Sequence, residues 1–197
     1  MLKRISQRIA TEMVSAGVIK QEDWEVYQYS TEVFISLTVN LLAAVLLLTI
    51  FGRLMEGLVF FAAFFPLRTY SGGYHAPTHF RCFAFSIVIL LVFVASLSIV
   101  PENSYCPICI IMGFISSAVI FALTPVGCIN RRYNEHESKA YRKTSLIILA
   151  AEGFALLLLL ALRLELQAFT VSFAMTVMAL SLIIGEIDLK SAEKREQ

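Results

Sequence analysis

The sequence predicts an all-α integral membrane protein: six transmembrane helices preceded by an N-terminal amphipathic helix, with both termini in the cytoplasm. Three observations predict it. Hydrophobic residues make up 58% of the 197 and charged residues only 16%, with a mean hydropathy of +0.75, an apolar excess that soluble domains do not carry. Four stretches without a charge, residues 33–52, 82–101, 103–130 and 166–185, approach the roughly 20 residues that span a ~30 Å hydrocarbon layer. The charges are also sorted by side. With the N-terminus inside, fourteen of the sixteen Lys and Arg fall on the cytoplasmic side, leaving only Arg53 and Arg163 outside, the asymmetry expected of inward-facing loops. A net charge of +1 gives no ground for a nucleic-acid partner.

Each element follows in chain order. Leu2, Ile5, Ile9, Met13 and Ala16 recur at steps of three and four, with Lys3, Arg4 and Arg8 between them. That pattern suits a helix lying on the inner leaflet or holding a substrate helix. The polar run to residue 32 lacks the apolar core and small-residue cleavage site of a signal peptide, so the first span is expected to direct insertion. Trp24, Tyr27 and Tyr29 suit the headgroup level just before that span, at 33–52. Residues 50–67 count as the second span, because Arg53 and Glu56 sit near one end and can reach the interface. The third and fourth are 82–101 and 103–130. The fifth, 144–162, contains Glu152, and the sixth is 166–185. The chain thus divides into a cytoplasmic N-terminal segment (1–32), a membrane domain (33–185) and a cytoplasmic tail (186–197).

One passage breaks the apolar pattern. Residues 71–82, SGGYHAPTHFRC, set two glycines, two histidines, a proline and a cysteine between two spans. A Cys and a His suffice for acyl transfer: the thiolate attacks a carbonyl, and the imidazole takes the thiol proton and returns it to a leaving amine. In an unbroken helix His75 and Cys82 would share nearly one face yet lie ~10.5 Å apart along the axis, out of reach. Pro77 suits the first turn of the third span, which puts Cys82 early in that helix. Gly72 and Gly73 can take backbone angles closed to other residues and fold His75 back over the thiol. A helix N-terminus with Arg81 adjacent and Arg68 close in sequence favours a thiolate, an effect that fades beyond the first turn. On pattern alone two further readings stay open. The His and Cys are structural residues of the bundle, or His75, His79 and Cys82 supply three metal ligands at a loose spacing.

Residues 68–86, RTYSGGYHAPTHFRCFAFS, resemble the signature of the accessory gene regulator protein B (AgrB) family, membrane endopeptidases of Gram-positive quorum sensing. The resemblance covers Arg68, Gly73, His75 followed by Ala76 and Pro77, Cys82 seven residues after the histidine, and Ser86 four after the cysteine. It extends to EVYQYSTEVF before the first span, to the FFPLR that closes the second, and to a basic loop after Thr124 and Pro125. It implies a bacterial cell-membrane enzyme with its catalytic loop at the cytoplasmic face, acting without metal or cofactor. Cys82 would be the nucleophile and His75 the general base and acid, with Arg68, Gly73 and Ser86 in supporting roles. The implied partners are the lipid bilayer, a second copy of the chain and an AgrD-like prepeptide. The enzyme would cut before the acidic tail of that prepeptide and keep the upstream part as an acyl thioester. An internal cysteine or serine would then close a thiolactone or lactone ring.

Most of the remaining polar residues admit more than one use. Arg131, Arg132 and Lys139, with Arg142 and Lys143, can attract an acidic tail, and a cytoplasmic basic loop also simply orients a membrane protein. Glu152 lies within a span, where an ionisable group is a functional candidate; it would contact substrate, orient His75, receive a proton, or sit neutral and hydrogen-bonded in the bundle. Cys106 and Cys109, in CPIC on the outward face, form a local disulfide or remain free thiols. Cys128 is expected only to pack. The rival reading is a small multi-pass transporter or channel-like protein, in which Glu152 and the histidines line a polar path and Cys82 is structural.

Overall fold

The computed structural model describes residues 2–74, 76, 78–127 and 134–196. The described chain is helical: α1 (Leu2–Ser15), α2 (Trp24–Ile50), α3 (Leu54–Ser71), α4 (His79–Ile99), α5 (Tyr105–Leu123), α6 (Glu135–Ala161) and α7 (Glu165–Glu196). Two tight reversals use the same C-terminal turn. After α2, Gly52 at φ 65° donates to the Thr49 carbonyl at 3.0 Å and Arg53 to that of Leu48 at 2.8 Å. After α6, Arg163 at φ 60° donates to Leu160 at 3.1 Å and Leu164 to Leu159 at 2.9 Å. These paired bonds satisfy the last helical carbonyls and send the chain straight into the next helix.

Several helix ends depart from the sequence expectation. The first long helix starts at Trp24, so Trp24, Tyr27 and Tyr29 lie inside it and the boundary drawn at residue 32 falls mid-helix. Helix α6 starts at Glu135 rather than 144. Its polar first turns are supported by the Asn134 N–H donating to Glu137 Oε2 at 3.1 Å and by the Lys139–Glu135 ion pair at 2.9 Å. The fourth expected span is shorter, ending at Leu123, with Pro125 unable to supply the next N–H. Helix α7 runs through Gly185 unbroken, stitched by Lys190–Glu186 at 3.0 Å, so the expected tail is a continuation of the last helix.

Five of these helices, α2 and α4 to α7, are long and apolar enough to cross a membrane. Helix α3 does not reach that level, because Glu56, Pro66 and Arg68 fall within its 18 residues. It nonetheless sits inside the bundle. Phe60 packs on Phe93 and Phe173, and α3 contacts α2, α6 and α7. The hub is α7: 61% of its apolar window is buried, against 22% or less for the other four. Its Ala168, Ala174 and Ala179 let neighbours approach, while Phe169, Met175, Met178 and Leu182 fill the centre. Outward positions such as Phe34, Leu46, Phe114 and Phe154 are exposed apolar side chains, as a hydrocarbon-facing surface requires.

Helix α1 lies against α2, with the Trp24 indole N–H donating to Thr11 Oγ1 at 3.2 Å. Ser6 and Ala10 are its buried residues. Ile5 and Ile9 remain exposed, because small residues allow the closer helix approach.

Candidate active site

The residues singled out in the sequence lie at the junction of α3 and α4. Arg68 occupies the last turn of α3, and the helix ends where Gly72 (φ 76°) and Gly73 (φ 106°) turn into the left-handed region, which favours glycine because it has no Cβ. The turn is pinned from three sides. The Gly73 N–H donates to the Val126 carbonyl at 3.2 Å and the Val126 N–H to that of Ser71 at 2.9 Å, a single parallel bridge to the chain leaving α5. The Tyr74 N–H donates to the Ser181 carbonyl of α7 at 2.9 Å. The Arg68 guanidinium donates to the carbonyls of Gly72 and Tyr74, and to Ser181 Oγ at 3.3 Å. Beneath the turn a buried hydroxyl cluster joins α3, α5 and α6. Ser71 Oγ bonds Ser145 Oγ, and Thr124 Oγ1 donates to the same Ser145 Oγ at 2.9 Å.

Helix α4 begins at His79, with Thr78 Oγ1 accepting from the Arg81 N–H at 3.3 Å. The helix therefore opens on a threonine cap, which satisfies one of its free N–H groups, two residues later than a proline in its first turn would require. Cys82 is the fourth helical residue. Its N–H bonds the Thr78 carbonyl at 3.0 Å, its thiol is free and exposed, and its own carbonyl accepts from Ser86 Oγ at 3.0 Å. His79 Nε2 meets Glu32 Oε1 of α2 at 3.2 Å. The Tyr74 ring packs edge-on against Phe85 of α4, with centroids 5.8 Å apart, and so connects the glycine turn to the helix that carries Cys82.

Arg68 and Gly73 thus meet in one turn, and Cys82 and Ser86 in one helical turn. His75 and Pro77 lie outside the described residues, as do Cys128, Arg131 and Arg132. Among the described residues no three His, Cys, Asp or Glu side chains gather as a metal site. Lys139 is paired with Glu135 on an exposed helical turn. Arg142 donates to the Thr124 carbonyl at 2.7 Å and that of Phe121 at 3.4 Å, which caps the end of α5. Glu152 is buried in α6, about 10.5 Å along the axis from Ser145. Its carboxyl oxygens reach no hydrogen-bond partner among the described residues. Cys106 and Cys109 are both free thiols in α5.

Sequence reasoning gave no role to Ser71 or Thr124 and missed Ser145, Ser181 and Gly185, which together build the walls of the turn. One signal was available. Ser181 and Gly185 are small residues four apart in an apolar helix, the spacing at which membrane helices admit a close neighbour.

Comparison with known proteins adds to this geometry. A family model described as "Accessory gene regulator B" matches residues 3–184. A relative from Clostridium perfringens (strain 13 / Type A), named "Putative AgrB-like protein 2", is 26% identical over 156 residues, covering 76% of this chain and 72% of its own. No solved structure matches. With a match over nearly its whole length, and five helices apolar enough to cross a bilayer, this membrane protein belongs to the accessory gene regulator B family of quorum-sensing prepeptide processing.

Proposed function

We propose that the chain is a membrane cysteine endopeptidase that cleaves the C-terminal tail from an AgrD-like prepeptide and promotes closure of the remaining part into a thiolactone or lactone. The observation that carries this reading is the free, exposed Cys82 thiol in the first turns of α4, nine residues after a glycine turn held by Arg68 of α3, Ser181 of α7 and Val126 beyond α5, in a chain of this family. The chemistry takes two steps. His75 removes the Cys82 proton as the sulfur attacks the scissile carbonyl. The carbon–nitrogen bond breaks, the proton passes to the leaving amine, and the tail departs with its new N-terminus. The upstream part remains as an acyl thioester on Cys82. A thiol or hydroxyl within the peptide then attacks that thioester, and the Cys82 sulfur leaves and regains a proton. For a thiol nucleophile one thioester replaces another, so the energy stored by the first acylation is retained. Holding the internal nucleophile beside the thioester raises its effective concentration over water.

Six spans and an inward site follow on this reading. Helix α3 runs alongside α7 from Phe60 on Phe173 to Arg68 on Ser181, a partnership that supports counting it as a sixth crossing despite its charges. Both termini and the glycine turn would then face the cytoplasm, where the prepeptide is made. Helix α1, with Ile5 and Ile9 exposed, would lie at the inner surface. The basic residues Arg131, Arg132 and Lys139 would draw the acidic tail toward the site, and the protein would act as a homodimer.

The test is reconstitution in lipid vesicles with the prepeptide encoded beside the gene, with products read by mass spectrometry. Wild type is expected to yield the tail fragment and a peptide mass lower by one water than the linear upstream part. Cys82→Ala and His75→Ala are expected to yield neither. Cleavage by Cys82→Ala at the wild-type rate would remove Cys82 as nucleophile.

A further inference from the structure

Residues 181–185 of α7 form a floor under the glycine turn. At Gly185 an added Cβ would meet Tyr74 N at 2.7 Å, the Gly73 carbonyl carbon at 2.8 Å and Gly73 Cα at 3.1 Å. All three are backbone atoms, so no side-chain rotation relieves the contact. Gly73 is enclosed from the other direction. A Cβ there would meet Arg68 Nη1 and Ser181 Oγ, each at 2.8 Å, and the Ser181 carbonyl oxygen at 3.2 Å. Ser181 supplies two acceptors: its carbonyl takes the Tyr74 N–H at 2.9 Å, and its hydroxyl takes Arg68 Nη1 at 3.3 Å. Tyr74 is therefore fixed by its backbone to α7 and by its ring to Phe85 of α4. Phe85 lies three residues beyond Cys82, and the residue after Tyr74 is His75.

We propose that Ser181 and Gly185 are positioning residues for the reaction: α7 sets where the turn leading into His75 sits relative to the helix that carries Cys82. The effect on rate rests on the acyl-transfer reading above, whereas the holding of the turn by α7 does not. Ser181 and Gly185 lie almost a hundred residues beyond the end of the sequence motif at Ser86, so it is the fold that brings them to the turn.

The test uses the full chain in lipid nanodiscs, as wild type, Gly185→Ala, Ser181→Ala and Gly153→Ala. Gly153 is the control, because a Cβ there meets nothing within 4 Å and any change reports helix propensity alone. The readouts are kcat and KM on the neighbouring prepeptide, and hydrogen exchange of the Tyr74 amide. Relieving the Gly185→Ala contact needs a shift approaching 1 Å, for which kcat is expected to fall on the order of 10²-fold with KM nearly unchanged. Exchange at Tyr74 is expected to accelerate by about tenfold or more as its bond to Ser181 opens. Ser181→Ala keeps the backbone carbonyl and is expected to lose only about tenfold in kcat. Wild-type kcat and wild-type exchange in Gly185→Ala would overturn the assignment. If Gly185→Ala does not fold, wild-type kcat and exchange in Ser181→Ala overturn it instead. If wild type leaves the prepeptide intact, the acyl-transfer reading fails by itself. Tyr74 exchange in the variants then decides whether α7 holds the turn.

Discussion

Replacing Arg68 with alanine is the sharpest test of whether the glycine turn must be held for activity. The guanidinium donates to two carbonyls of the turn, Gly72 and Tyr74, which no single ammonium can bridge in the same way. A hydrogen bond from a charged donor contributes about 1.5–3 kcal/mol. Because Arg68 is only partly buried, the lower end applies to each bond. Losing both therefore costs about 3 kcal/mol of the held conformation, and at about 1.4 kcal/mol per decade the competent fraction falls on the order of 10²-fold. Arg68→Lys keeps a charge that reaches one carbonyl and is expected to lose about tenfold. The assay is single-turnover cleavage of the prepeptide in nanodiscs with enzyme in excess, scored by release of the tail fragment. Arg68→Ala within threefold of wild type would refute the reasoning, and equal rates for Arg68→Ala and Arg68→Lys would refute the role of the two-pronged contact.

Three further outcomes are expected. Ser145→Ala leaves the buried Ser71 and Thr124 hydroxyls without their shared partner and should lower unfolding free energy in mixed micelles by about 1–3 kcal/mol. A double-mutant cycle with Ser71→Ala should show coupling above about 0.5 kcal/mol, and simple additivity would contradict the cluster. Glu152→Leu removes a buried carboxyl with no described partner and should raise thermal stability by roughly 1 kcal/mol or more; a drop in stability would show that the carboxyl is satisfied. In intact cells an impermeant maleimide should label the half-buried Cys106. The exposed Cys82 should label only after permeabilisation, and the buried Cys109 only after unfolding. Labelling of Cys82 in intact cells would reverse the proposed orientation.

The sequence exposes the apolar helices and the glycine turn because both depend on local composition. Uncharged runs mark long helices, and paired glycines mark positive φ, as found at Gly72 and Gly73. Helix ends were less legible. Arg163 takes the left-handed turn position that glycine usually occupies, so nothing in residue type announced it. The extension of α6 back to Glu135 depends on a capping contact and an ion pair within a charged segment. The centrality of α7 was hidden for a different reason. A helix that is apolar all round looks alike in lipid and in protein, and its Ala, Ser and Gly positions acquire meaning only when Phe60, Phe93 and Tyr105 pack against it. Likewise the walls of the candidate site come from Val126, Ser145 and Ser181. Those residues are far from the motif in sequence and carry no chemistry of their own.

The most direct test of the central claim is to trap the thioester. Wild-type protein would be mixed with a prepeptide whose internal ring-closing cysteine or serine is replaced by alanine, and the intact protein mass read within seconds and again after hydroxylamine. The account predicts a mass increase equal to the upstream peptide less one water. That increase should map to Cys82, be reversed by hydroxylamine, and be absent from Cys82→Ala. Release of the tail at the normal rate without any adduct on Cys82, or an adduct that survives in Cys82→Ala, would contradict it.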